Sequence, residues 1–314
     1  GVGGARISAQ DGATLRLEPT GMVTVMCSVT EQGQGTEGIF AQIAASAVGV
    51  TMDKVRVITG DTGTTPYGGG TWASRGAGIG GEAVLLSGRA LRANMLEIAS
   101  KILNVDKEVL DIQENSVTNK LSQQPLLPLS ELGRVAYFRP DTLPMDFQSE
   151  LTVTRHYTPR QYGFTFTNGI QASLVEVDTD TGFVKLLKHW CVEDSGTIIN
   201  PMLVDEQLRG GVVQGIGAAL FEECLYSPEG QLLNGSMADY LVPMSGEMPD
   251  IICAHVETPT LQSQLGAKGV GEAGTAGAPA AVMNAINDAL APLNARVTAM
   301  PFTPERILKA LAKV

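Results

Sequence analysis

Two spacings of apolar residues alternate along the 314-residue chain. Short apolar runs bounded by Gly, Pro and Asp predict strands at 13–18 and 22–29, with Pro19-Thr-Gly21 as the turn between them. A polar, glycine-bearing stretch at 30–36 leads into apolar positions at helical spacing over 37–48, and Gly49 ends that run. A strand at 54–59, a second glycine-rich loop at 66–70 and a long helix over 73–103 follow. The later half predicts strands at 169–178 and 183–192, joined by Thr179-Asp-Thr-Gly182, and a helix over 201–225. Strands at 238–242 and 251–257, a glycine loop at 265–274 and a helix signal over 278–290 complete it. The order strand pair, helix, strand, glycine loop, helix thus recurs after roughly 155 residues, as an internal repeat of pattern and not of residues. The expected fold is α+β, with two related subdomains of mixed sheets and packed helices at 1–150 and 151–314. Between them, 115–150 is polar and proline-bearing and reads as a surface connection with a short helix at 129–137. A last helix at 304–313 presents Ile307, Leu308 and Leu311 to the core.

Composition narrows the partners. Hydrophobic residues make up 44% of the chain and charged residues 18%, which is globular and far from disorder. A net charge of −11 argues against nucleic acid or an anionic membrane as a general partner, so a phosphate-bearing ligand needs local amides and a few placed cations. No apolar run approaches the roughly 18 residues of a membrane span, and the start carries no signal-peptide pattern. Cys27, Cys191, Cys224 and Cys253 are far apart and read as reduced thiols of a cytoplasmic protein. His156, His189 and His255 have no metal-ligand spacing. The opening Gly-Val-Gly-Gly lacks an initiator Met, which fits a chain that is processed or cut from something longer.

Four loops carry candidate chemistry. Leu265-Gly-Ala-Lys-Gly-Val-Gly-Glu272-Ala-Gly274 runs into a helix, where bare backbone amides favour an anion and a single carboxylate, Glu272, stands among residues without bulk. Gln32-Gly-Gln-Gly35 pairs two amide side chains, suited to the edge of a heterocycle, with Gly33 and Gly35, which admit a close approach. Pro66-Tyr-Gly-Gly-Gly-Thr-Trp-Ala-Ser-Arg75, with Thr71, Ser74 and Arg75 at a helix start, reads as a phosphate cradle. Gly196-Thr-Ile-Ile-Asn-Pro201 precedes a helix on which Gln207 and Gln214 share a face. Each loop alone reads equally as a capped or solvated turn.

Together and in this order, the four loops resemble the molybdenum-binding large subunit of the xanthine dehydrogenase, aldehyde oxidase and aerobic carbon monoxide dehydrogenase family. The resemblance runs from residue 13 to 302, with wording nearest the bacterial carbon monoxide dehydrogenase-like branch. It implies a molybdopterin cofactor, in the cytosine dinucleotide form common in bacteria, whose dithiolene ligates the molybdenum so that the protein supplies no metal ligand. Gln32, Gly33, Gln34 and Gly35 would contact it, as would Thr71, Ala73, Ser74, Arg75 and Gly76. Gln207, in Asp205-Glu-Gln-Leu-Arg-Gly210, and the backbone of Lys268, Val270 and Gly271 would complete the cradle. Glu272 takes the place of the base. The reaction implied is oxidation of an aldehyde, an N-heterocycle or carbon monoxide with water-derived oxygen. Electrons would leave through 2Fe–2S and FAD groups on partner domains or subunits, and an N-terminal molybdenum-binding domain would supply much of the substrate pocket. A catalytically inactive scaffold with the same fold is the alternative reading, and Glu272 counts against it. A nucleotide-phosphate enzyme is a third, opposed by the lack of G-x-x-x-x-G-K-[ST] spacing.

Overall fold

The structure, a computed structural model, describes residues 10–159 and 165–313. The chain divides into two compact units, residues 1–165 with 259–268, and 166–258 with 269–314. The first begins with an antiparallel hairpin, β1 (Asp11–Leu17) and β2 (Val23–Cys27), paired from Ala13↔Cys27 to Leu17↔Val23. The chain then crosses through α1 (Thr36–Val48) to β3 (Val55–Ile58), which lies parallel to β2, and continues to α2 (Gly81–Leu103). A meander of β4 (Leu110–Gln113), β5 (Ser116–Asn119) and β6 (Pro125–Pro128) leads to α3 (Leu129–Phe138). Strand β7 (Thr152–Tyr157) returns to the free edge of β1, giving the sheet order β3-β2-β1-β7.

The second unit repeats this plan. Strands β8 (Asn168–Val177) and β9 (Val184–Asp194) form an antiparallel hairpin. Helix α4 (Pro201–Leu220) crosses to β10 (Ile251–Val256), parallel to β9, and α5 (Ala273–Leu290) and α6 (Pro304–Ala310) follow. The shared hairpin, crossover and parallel third strand agree with the repeat expected from the apolar pattern.

Each unit has its own core. Alternate residues of β1 and β2, such as Leu15, Leu17 and Val25, are fully buried, together with Phe40 of α1 and Leu91 and Met95 of α2. In the second unit Val204, Leu208, Val212 and Ile216 of α4 meet Ala278, Val282 and Ile286 of α5. Glycine lets both helix pairs approach. A Cβ on Gly88 would lie 2.7 Å from Ala47, and one on Gly215 would lie 2.8 Å from Ala278. Helix α4 starts where Asn200-Pro201 predicts, with the Asn200 side chain accepting from the Leu203 amide.

Several expectations need correction. Part of the segment read as a surface connection is a hydrogen-bonded meander that buries Ile112, Val117 and Leu127, and β7 completes the main sheet. Its strands are four residues long in β4, β5 and β6, too short to display a clear alternation. The strand expected at 238–242 is instead a run of turns, with the Asp239 and Tyr240 amides bonded back to Ser236. Helix α4 ends at Leu220, before the expected 225, and α5 begins at Ala273, earlier than 278, despite Pro279 in its second turn. The long helix read from 73 begins as a π-turn at Gly76–Gly80 and becomes α-helical at Gly81.

Candidate functional site

In the first unit, two of the expected loops are stitched together by threonines. The Thr30 amide donates to the Thr71 hydroxyl at 2.9 Å, which in turn donates to the Thr30 carbonyl at 2.6 Å. Within the first loop, Glu31 fills the nest of amides before α1. Its Oε1 accepts from Gln32, Gly33 and Gly35, at 2.8–3.1 Å, and its Oε2 accepts from Glu37 at 3.1 Å. Burial pushes the Glu31 carboxyl up, but these four backbone donors outweigh it and hold the group below its ordinary range. The Gln34 side chain is also occupied. Its Nε2 donates to the Thr30 carbonyl at 2.9 Å and the Thr36 hydroxyl at 2.6 Å, and its Oε1 accepts from Gln32 at 2.5 Å. Gln32 and Gly33 form the exposed rim.

The second loop is built around Arg75, whose side chain points inward. Its guanidinium is fully buried, 2.7 Å from Asp11, and donates to the Gly70 and Gln10 carbonyls at 2.8 and 2.9 Å. Asp11 Oδ1 accepts from the Ser28 hydroxyl at 2.7 Å and from the Gly69 amide at 3.0 Å. Burial pushes the Asp11 carboxyl up, while Ser28, Arg75 and Gly69 pull it back. The expected phosphate contact through the Arg75 side chain is therefore corrected: this cation organises the loop. Ala73 and Ser74 hold φ of 49° and 54°, the left-handed region, at about 1–2 kcal/mol each for a residue with a Cβ. Two such residues ahead of a π-turn mark a loop shaped for something other than stability.

Lys268 ends the segment of the first unit that lies against the start of α2. There the Leu265 amide donates to buried Glu82 at 2.5 Å, and the Ala267 carbonyl sits 3.4 Å from the Cβ position of Gly78. The structure thus brings the loops at 31–36 and 71–76 together, and packs the segment ending at Lys268 on the helix that the second loop enters.

Gln207, Val270, Gly271 and Glu272 belong to the second unit. Gln207 is half-buried on α4, one turn before Gly210. Glu272 is exposed at the N-cap of α5, and its side chain makes no capping hydrogen bond to that helix. The helix end is held from two sides. Against α4, a Cβ on Gly274 would lie 2.5 Å from the Leu208 carbonyl, and the Thr275 hydroxyl donates to the Gly211 carbonyl at 2.9 Å. Against the sheet, Gln171 donates to the Ala273 and Gly274 carbonyls at 3.3 and 2.9 Å.

Sequence reasoning missed the anchors Asp11, Glu31, Glu82 and Gln171. Glu31 and Glu82 carried a faint signal, a carboxylate beside glycines and a charge among apolar helix positions. Asp11 and Gln171 lie on strands, and only the packing reveals their partners.

Each unit, taken by itself, presents bare backbone. Gly33, Gly70 and Gly210 would each carry a Cβ into space with no atom within 4 Å, so bare backbone is presented there. Among the described residues, no group of three or more His, Cys, Asp or Glu side chains could hold a metal ion.

Comparison with known proteins gives the class and then the family. Residues 1–249 match the molybdopterin cofactor-binding domain. The chain is 36% identical over 308 residues to the nicotine 6-hydroxylase large subunit of Paenarthrobacter nicotinovorans, covering 98% of this chain and 37% of that protein. It is 32% identical to the carbon monoxide dehydrogenase large chain of Afipia carboxidovorans, covering 96% and 37%. The crystal structure of quinoline 2-oxidoreductase from Pseudomonas putida 86 superposes with a TM-score of 0.88 at 38% identity, covering 97% of this chain and 38% of that one. The chain belongs to the molybdopterin-binding family of the xanthine dehydrogenase and carbon monoxide dehydrogenase large subunits. It spans under two fifths of the length of these relatives.

Proposed function

We propose that the chain is the C-terminal cofactor-binding part of a molybdenum hydroxylase large subunit, with Glu272 as its general base. The observation that carries this is the end of α5: one carboxylate stands at the N-cap without capping the helix, on a helix entry fixed by α4 and by Gln171. The bound cofactor, a molybdopterin in its cytosine dinucleotide form, supplies the two-electron oxidation of the substrate carbon.

The chain's own residues bind and move protons. The bare rim at Gln32, Gly33 and Gly35 and the strained Thr71–Gly76 loop take the cofactor through backbone groups and the outward Gln32 amide. Gln34, Thr71 and Arg75 contribute by holding those loops in shape. Gln207 on α4 and the backbone of Lys268, Val270 and Gly271 complete the contacts. Glu272 accepts the proton released as water-derived oxygen is transferred to an aldehyde, an N-heterocycle or carbon monoxide. 2Fe–2S and FAD groups on partner chains would take up the electrons, and the rest of the large subunit would close the substrate pocket.

The test is Glu272→Gln in the assembled enzyme. It keeps the shape and removes the base, so molybdenum content should persist while turnover falls about 10²–10⁴-fold. Near-normal turnover at normal molybdenum content would make Glu272 structural. Release of one cytidine nucleotide per molybdenum on hydrolysis of the assembled enzyme checks the dinucleotide form, since phosphorus alone would also count the FAD.

A further inference from the structure

One buried polar chain in the second unit has no part in the reading above. On the inner face of the sheet, Ser173 of β8 stands opposite His189 of β9, their register partners, with the hydroxyl 2.9 Å from Nδ1. His189 Nε2 lies 3.1 Å from Gln171 Oε1, and Gln171 Nε2 reaches the Ala273 and Gly274 carbonyls. The donor sequence is determined from the helix end. Carbonyls only accept, so the Gln171 amide nitrogen donates and its oxygen accepts from His189 Nε2–H. A neutral imidazole with its proton on Nε2 has a bare Nδ1, to which the Ser173 hydroxyl donates. His189 is fully buried, and burial lowers it from the ordinary 6.5 to about 4, so it stays neutral at physiological pH.

The seat for this chain is specific. A Cβ on Gly277 would lie 2.9 Å from Gln171 Cδ, so only glycine there lets the amide lie against the first turn of α5. That turn begins at Glu272.

We propose that Gln171, oriented by His189 and Ser173, is a positioning residue that tethers the first turn of α5 and so sets the direction of Glu272. The proposal rests on the reading of Glu272 as the base. Gln171 touches neither substrate nor cofactor in this role. It acts through the two carbonyls that follow Glu272.

The experiment is a double-substitution cycle in the assembled enzyme with Gln171→Met, which keeps length and removes the hydrogen bonds to both carbonyls and to His189. Q171M should lower kcat about 10- to 100-fold, as a small misplacement of a reacting group does, with KM and molybdenum content changed less than about twofold. Added to E272Q, it should lower turnover no further, because the group it positions is already gone. On the chain itself, amide hydrogen exchange over 276–278 should quicken about tenfold in Q171M while β9 stays protected. Should Q171M assemble poorly, Ser173→Ala shortens the chain at its far end and should lower kcat about threefold at unchanged KM, with Ser173→Thr restoring it. An unchanged kcat in Q171M, or an equal further loss in the E272Q background, overturns the proposal while leaving a collapsed E272Q as evidence for the base. Near-normal turnover of E272Q overturns the base and the positioning role together.

Discussion

In the first unit the amides ahead of α1 are filled by the protein's own Glu31, whereas in the second Glu272, at the N-cap of α5, makes no capping hydrogen bond to that helix. The two units share a hairpin, a helical crossover and a parallel third strand, to which the first adds β7 and the β4–β6 meander, so within the shared elements the difference lies in their polar residues. The first spends Glu31, Gln34, Asp11 and Arg75 on the shape of two loops, one of them strained at Ala73 and Ser74. The second spends Gln171, Ser173, His189 and Thr275 on the entry of one helix.

Breaking the anchor of the first unit should have the largest effect. Arg75→Met leaves Asp11 buried without its cation, at a cost of about 3–5 kcal/mol. Urea unfolding should show the loss in the first unit, and hydrogen exchange should show β8 and β9 unaffected. A midpoint equal to wild type would mean that the pair does not hold the loop.

The second unit should lose stability in mild acid. His189 is lowered from 6.5 to about 4, so between those values the unfolded chain binds a proton that the folded one refuses. This contribution is complete above pH 6.5, declines as pH falls through the window and is gone below about 4. It amounts to at most about 3 kcal/mol. His189→Asn should flatten that part of the stability–pH curve, and an unchanged slope would contradict the neutral, buried imidazole.

Gly274→Val sharpens the comparison at the helix crossing. Its side chain would press on the Leu208 carbonyl, costing about 1–3 kcal/mol and moving the end of α5 away from α4. Thermal melting and exchange over α5 would report it, and full stability would show that the crossing has slack. Glu31→Gln should have the smallest effect, about 1–2 kcal/mol, since one neutral oxygen replaces a carboxylate that serves four amides. A melting point unchanged from wild type would show that the nest needs no anion.

The two units were not equally legible in the sequence. Strands β1, β2, β8 and β9 and helix α1 showed clear periodicity between turn residues, and the glycine loops marked both helix entries. The meander over β4 to β6 was hidden because its strands are four residues long and part of it is rich in Pro and Gln. The segment 259–268, which belongs to the first unit, carries no local sign of that, because its ties, such as the Leu265–Glu82 and Tyr157–Gln262 hydrogen bonds, join residues 183 and 105 positions apart. Arg75 looked like an anion ligand because a cation near glycines at a helix start usually is one. Its partner Asp11 lies on a strand 64 residues earlier, and such a pairing is set by packing alone.

The division of labour between the units is tested most directly by measuring molybdenum content and turnover together in two variants of the assembled enzyme, Gly35→Val and Glu272→Gln. Gly35 holds φ of 80°, so a β-branched residue strains the rim as well as filling it. The account predicts that G35V loses molybdenum and turnover in proportion, with activity per metal atom preserved, while E272Q keeps its molybdenum and loses activity per metal atom about 10²–10⁴-fold. Full molybdenum in G35V, or normal activity per metal atom in E272Q, would contradict it.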